Sequence, residues 1–348
     1  MRILTTLPQN DLNEVPAAAA AAEAAGFDGV LTMENRHDPF LALGVAATTT
    51  KRLALGTAVA IAFPRSPMVV ANVCWDLQTA SKGRFALGIG PQIRPHNEKR
   101  FSVPWLAPVP RLREYVQALR AIWRSWETGE RLHFEGEHYT FTLMTPNFTP
   151  ASTGQPMTPI TIAAVGDYSL RLAGEVADGV RLHGFCTRRY MEEVCLPRIA
   201  EGMARTGRRR ESFEVTGGGF IATGANDEEV SSAVEWVRYR VAFYGSTPSY
   251  WPVLQLHGLG DLGRKLNRMT KEGAWDRIAS EINDDTLRLF AAVGRHDELA
   301  GVIEERFGGA ADAVYASLSM DMRPALPPDL VQDIRRLPTA FEGYDTAW

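Results

Sequence analysis

The sequence predicts an α/β fold, a (β/α)8 barrel with two insertions. Apolar strand-like runs alternate with helical stretches through nearly the whole chain. Several runs are continuously apolar, which suits parallel strands covered on both faces. Eight strand–helix units can be counted, which favours a closed barrel over an open doubly wound sheet. A bare barrel needs roughly 250 residues. The surplus in a 348-residue chain matches two excursions, at about 130–158 and 244–290. No internal repeat or low-complexity linker marks a boundary, so 1–348 reads as one domain.

The first strand is the apolar run Arg2–Leu7. A helix follows, with Pro16 near its start and Gly26 just past its end, the usual asymmetry of helix termini. The strand Gly29–Glu34 precedes a helix from about Phe40 to Thr50. The third strand, Leu53–Ala62, is almost entirely apolar. A helix from Pro67 to about Ala80 then leads through Ser81-Lys82-Gly83 into the strand Arg84–Gly90. The clearest helix carries Leu112, Tyr115, Val116, Leu119, Ile122, Trp123 and Trp126, one wide apolar stripe at helical period. In the first excursion, Leu132–Tyr139 and Thr140–Leu143 suggest a hairpin. Alternation resumes with strand Pro159–Val165, helix Tyr168–Ala177, strand Gly179–Gly184, helix Arg188–Thr206, strand Phe213–Thr223 and helix Glu228–Phe243. After the second excursion come helix Asp297–Phe307 and a last strand, Ala313–Ser319.

Composition narrows the function classes. A formal charge of −4 argues against nucleic acid as the main partner, which usually needs a basic stripe. Cys74, Cys186 and Cys195 are too few and too scattered for a disulfide framework or a zinc site, and no metal is expected. The alanine run Ala17–Ala22 lacks a basic leader and is broken by Glu23, so it reads as helix one rather than a signal peptide. No stretch reaches the ~20 apolar residues of a membrane span. A cytoplasmic protein is the expectation.

Barrel active sites lie at the C-terminal ends of the strands. After strand two, Glu34-Asn35-Arg36-His37-Asp38 offers a carboxylate, an amide and an imidazole, where Glu34 or His37 suits acid–base work. The same residues also suit a plain capped loop, since Asp38 before Pro39 is a good helix start. After strand four, Gly88 and Gly90 let a flat ligand approach the backbone, with Gln92, His96 and Asn97 following. After strand five, Ala163-Ala164-Val165-Gly166-Asp167-Tyr168-Ser169 opens a helix whose free N–H groups suit a phosphate; a tight turn capped by Asp167 is the equal alternative. His183 ends strand six. Gly217-Gly218-Gly219 in strand seven suits a bulge or a close ligand. His257 lies in the second excursion, where a lid would form.

Several of these stretches form a recognisable set. They are Arg65-Ser66-Pro67, Trp75-Asp76-Leu77-Gln78, Ser81-Lys82-Gly83-Arg84-Phe85 and Leu87-Gly88-Ile89-Gly90, with His37-Asp38-Pro39-Phe40 and Leu55-Gly56-Thr57-Ala58-Val59. Together they resemble the signature of luciferase-like oxidoreductases. Gln92 with His96–Phe101, and Phe243–Pro248 with Tyr250, resemble the branch that uses the deazaflavin coenzyme F420. The resemblance implies a barrel holding the cofactor ring at the strand ends. It implies a non-proline cis peptide at Ala58–Val59 behind that ring, a phosphate seat at Ala164, Val165 and Gly166, and a polar cofactor chain along Gly90 and Gln92. It further implies hydride transfer between the deazaflavin C5 and a small organic substrate. Glu34 first, His183 second, or Asn35 would bind the substrate's polar group.

One departure bears on the chemistry. Bacterial luciferase and many flavin monooxygenases resembling it carry a histidine directly after the strand-two glutamate, where this sequence has Asn35. The rival readings are a two-component monooxygenase using FMN from a separate reductase, and a non-catalytic cofactor-binding barrel. Substrate contacts should come from the two excursions, which carry Trp251, His257 and Trp275. The family often forms homodimers, and Val69, Val70, Val73 and Trp75 suit either core or interface.

Overall fold

The computed structural model describes residues 1–317, 319 and 325–348. Eight parallel strands form the barrel: β1 (Arg2–Thr6), β2 (Gly29–Thr32), β3 (Ala54–Thr57, continued by Ala60–Ile61), β4 (Phe85–Gly90), β5 (Ile160–Ala164), β6 (Gly179–Leu182), β7 (Glu214–Gly217) and β8 (Ala313–Tyr315). Neighbours along the chain are neighbours in space, β8 pairs with β1, and β3 pairs with β4, so the sheet closes on itself.

Around the strands lie α1 (Val15–Ala25), α2 (Leu41–Thr49), α3 (Pro67–Ser81), α4 (Pro108–Thr128), α5 (Asp167–Val176), α6 (188–204), α7 (Asp227–Gly245), α8 (Leu299–Phe307) and α9 (Pro328–Arg336). The local chemistry is legible at their ends. Gly26 stops α1 at φ +88°, a conformation costly for other residues. The Ser66 hydroxyl accepts the Met68 N–H to start α3, with Pro67 in the first turn. α4 buries the stripe of residues whose spacing predicts it. Its Trp123 is only 1% exposed and donates its indole N–H to the Ala71 carbonyl, so a large apolar ring is buried without an orphaned donor.

The structure departs from the expected elements at five places. Strand three is broken, because the Ala58–Val59 peptide is cis. Gly56 pairs with Ala86 but Ala60 with Ile89, so four residues advance on β3 against three on β4, a one-residue bulge. The run Phe213–Thr223 is not one strand. Gly217 (φ +87°) and Gly218 (φ +95°) turn the chain out of the barrel after β7. Phe220–Gly224 then pairs in parallel with Ala291–Arg295, a strand the sequence reading placed in no element. α9 was likewise not anticipated. The last strand ends at Tyr315 rather than Ser319, and residue 318 of that expected run lies outside the described residues. α6 is one helix as expected, with a π turn at Met191–Cys195.

The first excursion holds the hairpin Phe134–Glu135 and Thr140–Phe141. Glu114 on α4 ties it down by accepting the N–H groups of Glu137, His138 and Tyr139. The second excursion is helical, with Trp251–Leu256, Gly260–Lys271 and Asp284–Phe290. Among the described residues no helix is long and apolar enough to cross a membrane. The C-terminal tail runs beneath the barrel. There the Phe341 N–H meets Asp312, the Tyr344 hydroxyl meets Glu214, and Trp348 packs on Trp75.

Candidate active site

Five consecutive strand ends on the C-terminal rim carry the expected site residues: Glu34 (β2), Ala58–Val59 (β3), Gly90 (β4), Ala164–Gly166 (β5) and His183 (β6). The barrel order alone brings them into one arc.

Glu34 is tied into the β3 bulge. Its side chain is 6% exposed. The carboxylate accepts the Ile61 N–H at 2.7 Å and the Arg65 guanidinium at 2.7 and 2.8 Å. Its own N–H donates to the Val59 carbonyl. Glu34 therefore grips both sides of the β3 bulge, and its carboxylate acts only as an acceptor. Releasing a proton donor here would break the Arg65 pair, so the geometry points to positioning rather than proton transfer. Arg65 also reaches Asp38 at 3.1 Å, while its carbonyl accepts the Tyr115 hydroxyl.

The rest of that loop turns away from acid–base work. Asn35 is exposed; its Oδ1 accepts the Arg36 N–H and its carbonyl accepts Arg100. His37 is exposed and lies 3.1 Å from the Asn10 amide oxygen. Asp38 accepts the N–H groups of Phe40 and Leu41, the capped helix start expected of it.

The paired glycines serve the barrel itself. A Cβ at Gly88 would lie 1.9 Å from the Thr57 carbonyl oxygen and 2.7 Å from Arg181 Nε. One at Gly90 would lie 3.1 Å from Val59 and 3.3 Å from Ala163. Gly88 thus makes room for a neighbouring strand and a buried arginine, not for a ligand. Gly90 makes room for the bulge.

Gln92 and Gly166 come together in a groove of about 380 Å³ between the β4 and β5 loops, with Trp105, Val109 and Tyr168 on its walls. Gln92 sits at φ +58°. Its loop is braced by buried Asn97, whose amide N–H groups bond the carbonyls of Pro91 and Ile93. Gly166, not Asp167, is the N-cap of α5 and offers no side-chain cap. The N–H groups of Asp167, Tyr168 and Ser169 have no partner among the described residues, and the helix dipole adds a partial positive charge there. The Asp167 carboxylate is turned to Arg198 at 3.1 Å, so it does not oppose an anion at those amides.

His183 closes the arc. Its Nδ1 accepts the Phe185 N–H at 2.9 Å, so in the neutral ring the hydrogen sits on Nε2. Tyr244 packs edge-on at 4.3 Å between ring centroids and Tyr250 lies at 4.8 Å. Burial, with a smaller contribution from Arg240, lowers the His183 pKa to about 4. The half-buried imidazole is therefore neutral near pH 7 and presents an Nε2–H. His257 is no free lid group: its Nε2 lies 2.8 Å from the Thr187 hydroxyl.

Residues 2–313 match the luciferase-like monooxygenase family. The chain belongs to that family. An uncharacterised protein of Mycobacterium tuberculosis is 49% identical over 327 residues, covering 94% of this chain and 96% of that one. The 5,10-methylenetetrahydromethanopterin reductase of Archaeoglobus fulgidus is 28% identical over 308 residues, covering 86% and 87%. In fold, this luciferase-like oxidoreductase superposes on the coenzyme F420 dependent tetrahydromethanopterin reductase of Methanopyrus kandleri with a TM-score of 0.76, at 18% identity and 97% coverage of both chains.

Sequence reasoning did not give Arg65, Asn97, Tyr244 or Tyr250 a role. All four stand inside stretches that carry the family resemblance, which was the available signal. Nothing in the sequence pairs Arg65 with Glu34.

Proposed function

We propose that the protein is a coenzyme F420-dependent oxidoreductase moving a hydride between the deazaflavin C5 and a small organic substrate. The observation that carries this reading is the arc itself: the β3 bulge towards one end, a neutral histidine donor at the other, and an anion seat and groove between them. The residues present fit such a cofactor. The groove volume lies in the range usual for cofactor sites, and the unpartnered first-turn amides of α5 suit a phosphate. The likeness to the two reductases favours a deazaflavin over FMN.

In this reading Ala164, Val165 and Gly166 hold the phosphate, and Gly90 and Gln92 run beside the polar chain. Ala58 and Val59 back the ring. The bound cofactor supplies a carbon that takes or gives the hydride. His183 donates its Nε2–H to the substrate oxygen, and Tyr244 and Tyr250 exclude water around it. Glu34 keeps the bulge in place through Arg65 and Ile61, while Asn35 is at most a rim contact.

The test is a fluorescence titration of the purified protein with oxidised F420 and, in parallel, with FMN. Micromolar or tighter binding of F420 with no FMN binding is the expected result. The reverse preference overturns the reading in favour of a two-component FMN monooxygenase. Tight F420 binding with no turnover against any substrate class would leave a cofactor-binding barrel.

A further inference from the structure

At the opposite end of the barrel, the C-terminal tail closes a second chamber. Its volume is about 490 Å³, and residues 341–344 form its floor. Arg2, Arg52, Arg84 and Arg181 line it, against Glu214 and Glu342.

The charges do not balance. Glu214 is 1% exposed and is already matched by Arg2 and by the Tyr344 hydroxyl. Arg181 is 6% exposed; its Nε donates to the Thr161 hydroxyl at 2.9 Å and its Nη1 to the Tyr315 hydroxyl at 3.2 Å. Arg181 makes no direct salt bridge among the described residues but feels the charge of Glu214, which it shares with Arg2, and its Nη2 makes no hydrogen bond there. Arg84 spends its donors on the carbonyls of Ala47, Thr50, Leu53 and Ser81 and on the Thr50 hydroxyl, all uncharged oxygens. Arg52 is exposed at the rim. Arg2 and Arg181 thus share one buried carboxylate, which leaves the chamber with excess positive charge, and guanidinium groups match oxyanions in shape and charge.

We propose that this chamber is a second binding site, taking a small oxyanion, a phosphate or a carboxylate, on the barrel face away from the active-site arc. The anion meets Arg181 Nη2 from within the barrel and Arg52 from the rim. The tail lies over it, so occupancy pins the tail to the barrel. The inference does not depend on which cofactor the other face holds.

The experiment uses the full chain without cofactor, titrated with inorganic phosphate and separately with succinate at constant ionic strength. Calorimetry gives affinity, and amide hydrogen exchange gives location. The expected result is saturable binding of at least one anion with slower exchange across 341–344. Protection confined to 166–169 places the anion at the α5 amides and overturns the proposal, as does an absence of saturable binding. Two exposed wall residues give opposite signs. Arg52→Gln should weaken affinity about fivefold, and Glu342→Gln should tighten it about twofold, the scale of an exposed charge contact. Unchanged affinity in both variants also overturns the proposal. Phosphate binding without succinate binding identifies the phosphate arm, and the reverse identifies the carboxylate arm.

Discussion

His183 and Glu34 sit on the same rim and are held in different ways. Burial holds His183 neutral down to a pKa of about 4, whereas an unfolded histidine titrates at 6.5. Between those values the unfolded chain takes up a proton that the folded chain refuses, so this residue's contribution to stability falls as the pH drops from about 6.5 to about 4. Denaturant titrations across that window should show His183→Asn losing less stability on acidification than the parent. The same neutrality predicts a rate profile with no His183 limb near pH 6.5. Loss of the Nε2–H donor in His183→Phe should lower kcat about 10²–10³-fold with cofactor affinity retained. Glu34→Gln should behave differently. It removes the charge facing Arg65 from a nearly dry site and should cost about 2–3 kcal/mol of stability in urea unfolding, with weakened cofactor binding. An intact fold and affinity with a large loss in kcat would restore Glu34 as the acid. Both residues were legible as candidates from their strand ends. Their division of labour was not, because it depends on Arg65 and Tyr250, which lie far away along the chain.

At the scale of elements, glycine positions decide where strands stop. The sequence around Gly217–Gly219 reads as one long apolar strand because periodicity carries no information on φ. Two successive left-handed residues end β7, and a Cβ at Gly218 would lie 2.4 Å from the Met191 sulfur. Gly218→Ala therefore combines a conformational penalty with a clash, and should lower the melting temperature by several degrees, on the order of 1–3 kcal/mol. The bulge in β3 was expected from family likeness and not from the pattern Leu53–Ala62, which is uniformly apolar. Helices fared better: α4 declares itself through seven buried residues at helical spacing, and packing, not a special backbone angle, is all it needs. The strand Ala291–Arg295 escaped notice because it is short and its partner, Phe220–Gly224, is some seventy residues upstream.

For the whole molecule, the closed sheet follows from the alternation of elements, and the placement of the site follows from closure. What closes the lower end did not: the tail makes its contacts through single residues such as Tyr344 and Trp348. Burial pushes the Glu214 carboxyl up, but the charges of Arg2 and Arg181 and the hydrogen bonds from Tyr344 and Arg2 together hold its pKa below the usual carboxylate value. Its contribution to stability is thus complete above about 4.5 and lost as the pH falls through the lowered value. Glu214→Gln should flatten the acid limb of the unfolding curve, measured by circular dichroism.

The stretch between β7 and β8 leaves and returns at adjacent strands, since Thr216 pairs with Ala313 and the Asp312 N–H donates to the Val215 carbonyl. It carries α7, the outer strand pair and both tyrosines around His183. That stretch is a cassette plugged into one slot of the barrel. Exchanging it for the corresponding stretch of a relative requires two neighbouring sockets to match, together with the seam it forms against the start of α6, where His257 meets Thr187 and Arg306 meets the Cys186 carbonyl.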